Sequence, residues 1–479
     1  MKSLQVDVAI IGSGTAGMTA YRAARAHNQR VLLIENHVYG TTCARVGCMP
    51  SKLLIAAAEA AHAVAQAPAF GVFPGPVRVD GAAVMERVRR ERDRFVGFVR
   101  EAIDAIPPED KLHGHARFVS PTRLQVGDHT QVEAERFVIA TGSTPIVPQE
   151  WRGFDGVMIS DGVFDWTDLP ASVAVVGSGV IGLELGQALN RLGVRVRLYA
   201  RGASIAQLSD PLVLKAAARC LSSELDLRLQ TQIAAIAVQE DGRLMVSGRD
   251  AEGIEHAEVF ERVLVAIGRS PNVHDIGLDT TGLALDRRGV PLYDKTTMQC
   301  GGSAIFIAGD ADDERPVLPE AADQGRIAGD NAGRFPHVAP GLRRTPLAVA
   351  FSEPQIATLG ARHQDLCRSH AGRFAIGAVS FEDQGRSRVM LQNHGLLRVY
   401  GELGSGRFLG AEMIAPRAEH LAHLLAWACQ AGLTVRQMLD MPFYHPVVEE
   451  GVRTALRDLA LQLESDAVPA PCVDCSPGV

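Results

Sequence analysis

Residues 6–35 read VDVAIIGSGTAGMTAYRAARAHNQRVLLIE, and this stretch decides the fold class. Val6–Ile11 is an apolar run of strand length. It meets Gly12-Ser13-Gly14-Thr15-Ala16-Gly17, then an alanine-rich helical stretch from Met18 to Ala26, then a second apolar strand, Val31–Ile34, ending at Glu35. Strand, glycine turn, helix and strand at this spacing make a βαβ dinucleotide-binding unit. Gly12, Gly14 and Gly17 permit a tight turn and close backbone approach. The helix N-terminus offers unpaired amides to a pyrophosphate, and Glu35 stands where an acid holds ribose hydroxyls.

The pattern returns downstream. Val173–Val176 is a strand, Gly177-Ser178-Gly179-Val180-Ile181-Gly182 a second glycine turn, and a helix through Leu192 leads to the strand Val194–Tyr199. Apolar strands running into glycine also occur at Ile139-Ala140-Thr141-Gly142-Ser143, at Ala266-Ile267-Gly268-Arg269 and at Ile305–Asp310. Their order predicts an α/β chain in which the first nucleotide domain is interrupted by the second and resumes near residue 266.

At 479 residues the chain exceeds one hydrophobic core, and 47% hydrophobic with 22% charged residues is the composition of a globular protein. A net charge of -7 supplies no general basic field for nucleic acid. The N-terminus enters a strand without signal-peptide features, and no uninterrupted apolar run reaches the roughly 18 residues of a membrane span. The expected compartment is the cytoplasm, with neither nucleic acid nor membrane as partner.

The eight cysteines are too scattered for a disulfide scaffold. Cys220, Cys300, Cys367 and Cys429 are isolated and read as buried small hydrophobes or inert thiols. Cys43 and Cys48 are five apart in Gly40-Thr41-Thr42-Cys43-Ala44-Arg45-Val46-Gly47-Cys48-Met49-Pro50-Ser51-Lys52, which leads into an alanine-rich helical stretch. Such spacing brings two sulfurs together at a helix start, where the dipole is expected to lower a thiol pKa and favour dithiol–disulfide exchange. A structural disulfide is the bland alternative. Zinc would need further nearby ligands, and no metal site is expected. Near the C-terminus, Pro442-Phe443-Tyr444-His445-Pro446-Val447-Val448-Glu449-Glu450 precedes an amphipathic helix, Val452–Leu463. A thiol exchange needs an acid and a base, and imidazole titrates in the right range.

With these parts in order, the chain resembles the FAD-dependent pyridine nucleotide–disulfide oxidoreductases along nearly its whole length, and most closely the bacterial dihydrolipoamide dehydrogenases. The resemblance implies two Rossmann-like domains plus a C-terminal α+β dimerisation domain. The FAD-binding domain occupies residues 1–148 and 266–344, the NAD(P)-binding domain 149–265, the interface domain 345–465 and a tail 466–479. It implies that Gly12, Gly14, Gly17, Glu35, Thr141, Gly142 and Asp310 hold FAD, and that Gly177, Gly179, Gly182, Arg201 and Gly268 serve NAD(P). Cys43 would be the interchange thiol and Cys48 the thiol beside the flavin, with Lys52 near the flavin ring and paired to Glu184. His445 and Glu450 would form the acid–base pair, supplied by the neighbouring subunit of a homodimer. Thr41 and Arg45 depart from the commoner Gly and Asn of the redox motif and bear on substrate tuning. The helix Ala418–Ala431 carries an apolar stripe that suits either an interface or an internal core.

The resemblance implies lipoamide or a lipoyl-bearing protein as substrate, and a 2-oxoacid dehydrogenase-type complex as partner. It also implies NAD, slightly preferred here, although the second nucleotide strand ends in Tyr199-Ala200-Arg201, where the missing acid and Arg201 lean towards NADP. Other disulfide reductases, resembling those for glutathione, thioredoxin or mercuric ion, are the alternatives. A mercuric reductase is disfavoured by the retained His445 and Glu450 and by a start directly at the flavin unit, without an extra metal-binding domain. The Cys472/Cys475 pair in the Pro-rich tail is either a second redox pair or an incidental one. A flavin-binding structural subunit without turnover is disfavoured because Cys43, Cys48, Lys52, His445 and Glu450 are all present.

Overall fold

The computed structural model describes residues 2–464. The chain divides into two compact units: one from the N-terminus to Leu53 with Glu86–Ile146 and Gly268–Arg343, the other Leu54–Met85, Val147–Ile267 and from Arg344 onward. The Cys472/Cys475 pair lies outside the described residues.

Among the described residues, the first unit is built on a seven-stranded sheet. Lys111–His113, Val31–Glu35, Lys2–Ile11 and Thr130–Ile139 run parallel in that order, and Ile305–Ile307 joins the far side of Thr130–Ile139. That last strand shows the first sheet resuming after the interruption, as the glycine-ended strands foretold. Val8–Ile11 are all buried, because a parallel strand covered on both faces must be apolar continuously rather than alternately. The helix Thr15–Arg25 is clamped by a later helix, Leu318–Arg334. A Cβ on Gly325 would fall 2.3 Å from the Ala16 carbonyl oxygen, and one on Gly329 would fall 2.2 Å from that of Ala20. Glycines four apart therefore let the two backbones touch, which fixes the N-terminal end of Thr15–Arg25 against the first glycine turn.

In the second unit, Asp226–Arg228, Arg195–Tyr199, Ser172–Val176, Arg262–Val265 and Val157–Ile159 form a five-stranded parallel sheet. The same unit holds a five-stranded antiparallel sheet, Leu347–Ala350, Gln355–Gly360, Phe408–Ala415, Leu396–Glu402 and Phe374–Ser380. The helix Glu450–Glu464 packs onto this second sheet through Val452, Leu456 and Leu459. Contact is direct at Gly377, where a Cβ would lie 2.3 Å from the Ala455 carbonyl oxygen. The helix Ala418–Gln430 buries Leu421, Ala422 and Leu425 in the same core, so its stripe is internal, while Trp427 is exposed.

The helical stretch Thr42–Phe70 is, by length and composition, apolar enough to cross a membrane, although only 17% of its apolar window is buried. The expectation concerned uninterrupted apolar runs, and this stretch is not one. Single polar residues, Lys52, Glu59 and His62, break the literal run, but the alanines between them keep the average hydropathy high.

Candidate active site

The first glycine turn is shaped by two close backbone contacts. A Cβ on Gly12 (φ +106°) would sit 2.2 Å from the Ala140 carbonyl oxygen, and one on Gly17 would sit 1.8 Å from that of Gly12, whereas a Cβ on Gly14 meets nothing within 4 Å. Two glycines are thus required by the protein's own backbone, and the third faces open space. Gly14 is the N-cap of Thr15–Arg25 and no side chain caps it, which leaves the helix amides and dipole for an anion. Glu35 is held beside the turn, its Oε2 accepting from Ser13 N at 2.8 Å and Ser13 Oγ at 2.7 Å.

Further along this cradle, Asp310 Oδ2 accepts from Ser143 Oγ at 2.7 Å, and Arg269 donates to both Ser143 Oγ and Ser143 O at 2.7 Å. Gly309 N donates to Gln324 Oε1 at 2.7 Å, while Gln324 Nε2 and Thr141 Oγ1 are buried without a protein partner. Asn272 holds the Thr141–Gly142 corner through Thr141 O at 3.1 Å and Gly142 O at 2.9 Å. An open helix N-terminus, an acid for ribose and two orphaned polar atoms fit FAD. Ser143, Arg269, Asn272 and Gln324 were not singled out from the sequence. Ser143 and Arg269 each follow the glycine of an apolar strand, the local signal on offer, whereas Asn272 and Gln324 had none.

Cys43 lies on the short helix Thr42–Val46, which Thr41 caps by accepting the Ala44 amide at 3.2 Å; Cys48 opens the helix Cys48–Gln66. Gly47 brings the two together, since a Cβ there would press to 3.3 Å from Cys43 Cα. The side chains are in hydrogen-bond contact, with Cys43 half-buried and Cys48 exposed. The Cys43 thiol is pushed up, first by its hydrogen bond to Cys48 and then by burial, with the Lys52 charge working the other way. The expected lowering of a thiol pKa is therefore corrected for Cys43. In a contacting pair the two thiols cannot both ionise cheaply, so the neighbouring Cys48 keeps the proton on Cys43. Lys52 Nζ is 3.5 Å from Ser51 Oγ, one turn into the same helix.

The second glycine turn repeats the first. A Cβ on Gly177 (φ +118°) would meet the Ala266 carbonyl oxygen at 2.2 Å, one on Gly182 that of Gly177 at 2.0 Å, and one on Gly179 nothing within 4 Å. Gly179 caps Val180–Arg191 without a side-chain bond. Here the strand ends in buried Tyr199, and Arg201 is exposed immediately after it. Ser178 Oγ donates not to an acid but to Ser204 O, at 2.6 Å. Glu184, on the same helix, is buried and accepts the Phe351 amide at 3.0 Å. Gly268 lies in the first unit, where its carbonyl accepts the Ile146 amide at 3.0 Å.

In the second unit His445 Nδ1 is 3.1 Å from both carboxylate oxygens of Glu450. Glu450 begins its helix and is also bonded by Val447 N at 3.3 Å. The His445 hydrogen bond is the main cause holding the Glu450 carboxyl below its usual range. The imidazole is 81% exposed, so a carboxylate orients a ring that is open to another molecule. Thus Cys43, Cys48 and Lys52 come together in one unit, and His445 and Glu450 in the other.

The family model described as pyridine nucleotide-disulphide oxidoreductase matches residues 6–325, and the model of the same family's dimerisation domain matches residues 347–456. Mercuric reductase from Streptomyces lividans is 31% identical over 480 residues, covering 97% of this chain and 98% of the relative. Mercuric reductase from Shigella flexneri is 31% identical over 471 residues, covering 94% and 80%. Dihydrolipoyl dehydrogenase from Halobacterium salinarum is 29% identical over 462 residues, covering 95% and 96%. The solved structure of HOCl-induced flavoprotein disulfide reductase RclA from Escherichia coli superposes with TM-score 0.78 at 22% identity, covering 95% of this chain and 99% of that one. A start at the flavin unit does not separate this chain from mercuric reductases, because the Streptomyces lividans relative is matched over 98% of its own length. Matched folds, two glycine turns and a paired-cysteine helix converge: this chain belongs to the pyridine nucleotide-disulphide oxidoreductases, flavoproteins with FAD, a nicotinamide nucleotide and a disulfide redox centre, and it carries their dimerisation domain.

Proposed function

We propose that the protein is a homodimeric dithiol–disulfide oxidoreductase that passes an electron pair between NADP(H) and a small disulfide of the lipoamide class. FAD, when bound, supplies the link between a nicotinamide hydride and the dithiol. The chain's own residues do the sulfur chemistry. Cys43, relieved of its proton by His445, attacks one sulfur of the substrate, the substrate S–S bond breaks, and the departing thiolate takes that proton from the imidazolium. Cys48 then attacks Cys43, releases the second substrate thiolate and closes the Cys43–Cys48 disulfide. Run backwards, the same steps oxidise a dithiol. Glu450 orients His445, and the family resemblance assigns the dyad to the other subunit's cysteines, with Lys52 and Glu184 at the flavin edge.

The observation that carries the reading is the His445–Glu450 dyad with its exposed imidazole. Exchange with a disulfide requires proton transfer to a leaving thiolate, whereas reduction of a metal ion by two electrons does not. Arg201, exposed and without a neighbouring acid at the strand end, supports NADP(H) over the NAD preferred from sequence resemblance. Reduction of mercuric ion is the second reading, favoured by the relatives of that name at 31% identity. The deciding experiment is steady-state turnover of the FAD-loaded protein in parallel arms: dihydrolipoamide with NAD or NADP, and lipoamide, glutathione disulfide or thiol-bound mercuric ion with NADPH. Turnover confined to the mercuric arm and unaffected by His445→Gln would overturn the disulfide reading. A lipoyl-bearing complex is a partner consistent with lipoamide turnover.

A further inference from the structure

Two fully buried carboxylates remain unused by this chemistry. Glu412, on the strand Phe408–Ala415, is 0% exposed and accepts four hydrogen bonds: from Ser209 N at 2.6 Å, Ser209 Oγ at 2.6 Å, Asp210 N at 3.0 Å and His363 N at 2.8 Å. Asp210, also 0% exposed, caps the helix Pro211–Ser222 through the Leu212 and Val213 amides. It is further held by Arg398 Nη1 at 2.8 and 2.9 Å and by Tyr400 OH at 3.0 Å. Removing carboxylates from water is costly unless their lone pairs are satisfied, and here nearly all of that satisfaction comes from a single loop and its anchoring strands.

That loop, residues 200–210, follows the second nucleotide strand. Its start is tied down by Thr231 N to Ala200 O at 2.9 Å and Gln230 N to Gly202 O at 3.2 Å. Its middle meets the second glycine turn through Ser178 Oγ to Ser204 O at 2.6 Å and Ala206 N to Ser178 O at 2.8 Å. Its end is Ser209–Asp210. Residues 201–204, Arg201 among them, are exposed between these fixed points. We propose that Glu412, with Asp210, Arg398 and Tyr400, is a positioning device: it holds the far end of this loop so that Arg201 and the Ser178–Ser204 contact stand ready for the nicotinamide nucleotide. The inference rests on reading the second glycine turn as the nucleotide site. Without the anchor the loop samples other shapes, and only the competent fraction binds, so affinity falls while chemistry at saturation does not.

The test uses the full-length, FAD-loaded protein and NADP⁺ binding by calorimetry, NADPH kinetics, and tryptic cleavage at Arg201. In Glu412→Gln, which sets an amide NH₂ among amide donors, KM for NADPH and Kd for NADP⁺ rise about tenfold and cleavage at Arg201 accelerates, with kcat within about twofold. Ser209→Ala, which loses one donor, gives a rise of about threefold and decides the matter if Glu412→Gln does not fold. The rate at which dithiothreitol reduces the protein, which uses no nucleotide, stays at the wild-type value. Unchanged KM and Kd, or a fall in kcat matched by slower reduction with dithiothreitol, overturns the positioning role. Gly179→Val separates the two levels. If it leaves NADP⁺ binding intact, the site reading fails and the proposal with it; if it abolishes binding while Glu412→Gln does not weaken it, the proposal alone fails.

Discussion

The two glycine turns are built from the same parts. In each, the first glycine lies against a neighbouring strand end, the third against the first, and the middle one faces open space at an uncapped helix N-terminus. They differ in what the serine between the first two glycines does. Ser13 bonds Glu35, so the first turn presents a fixed carboxylate to whatever lies along it. Ser178 bonds the main chain at Ser204, so the second turn stabilises a loop and leaves a cation, Arg201, at its rim. A shared backbone device leaves an uncapped helix N-terminus twice, and under the proposed reading the side chains at the strand end set which ribose fits. Hydroxyls want an acceptor, and a ribose phosphate wants a cation.

The hardest way to break this comparison is to fill each open position. A Cβ added at Gly14 or Gly179 meets no protein atom within 4 Å and both positions are extended backbone, so Gly14→Val and Gly179→Val should both fold. Gly14→Val should purify without flavin, read from the visible absorbance after gel filtration, and should lose all turnover. Gly179→Val should stay yellow and lose nucleotide, KM for NADPH rising more than about a hundredfold, a cost of at least ~2.7 kcal/mol. Equal flavin loss in both would show that the turns are not separate sites.

Glu35→Ala is the next sharpest. It removes an acceptor shared by two Ser13 donors, and with it the acid proposed to hold the ribose. FAD affinity should fall by about one to two orders of magnitude, the range for a lost charge-assisted bond. No matching substitution exists at Tyr199, which is buried in the core between two sheets; Tyr199→Glu should damage folding before recognition.

How much of this was legible beforehand follows the range of each interaction. Both turns, the cysteine pair and His445 with Glu450 are written within short windows, because a tight turn, a helix start and a five-residue reach are local geometry. The glycines at 325 and 329 also form a local pattern, four apart on one helix face, but their meaning depends on Ala16 and Ala20 some three hundred residues away. The Ser143–Arg269–Asp310 link and the Glu412 anchor have no local signature, since each joins residues more than a hundred positions apart. The lowered thiol pKa expected of the cysteine pair does not hold at Cys43, for a related reason. The helix start is visible in sequence, but the Cys48 side chain that opposes ionisation of Cys43 acts through the fold around Gly47.

Arg201 tests the second half of the comparison with a smaller effect. Arg201→Ala should lower kcat/KM for NADPH about tenfold, ~1.4 kcal/mol, because the side chain is exposed and its ion pair is screened. Turnover with NADH should stay within about twofold, and the ratio of the two is the measurement. A parallel loss with both nucleotides would make Arg201 a backbone support and return the preference to NAD.

A pH-dependent effect probes the acidic character of the first site. Asp312, two residues beyond Asp310, is pushed up to about 6 by burial, against hydrogen bonds from Tyr293 OH and the Glu314 amide. A carboxyl whose pKa is raised on folding binds its proton more tightly in the native state. Its stabilising contribution is therefore complete below the unfolded value near 4 and is lost as pH rises through about 6. A shift from 3.8 to about 6 corresponds to roughly 3 kcal/mol at most. The thermal midpoint of flavin release should fall by a few degrees between about pH 5 and pH 8 in the wild type, beyond whatever other groups contribute. Asp312→Asn keeps an acceptor for Tyr293 and removes the charge, so the same scan should flatten by that amount. If the two proteins track each other across the range, Asp312 is already balanced by Lys295 and Arg343 acting through Glu314. The first site would then tolerate its extra carboxylate without storing any pH dependence.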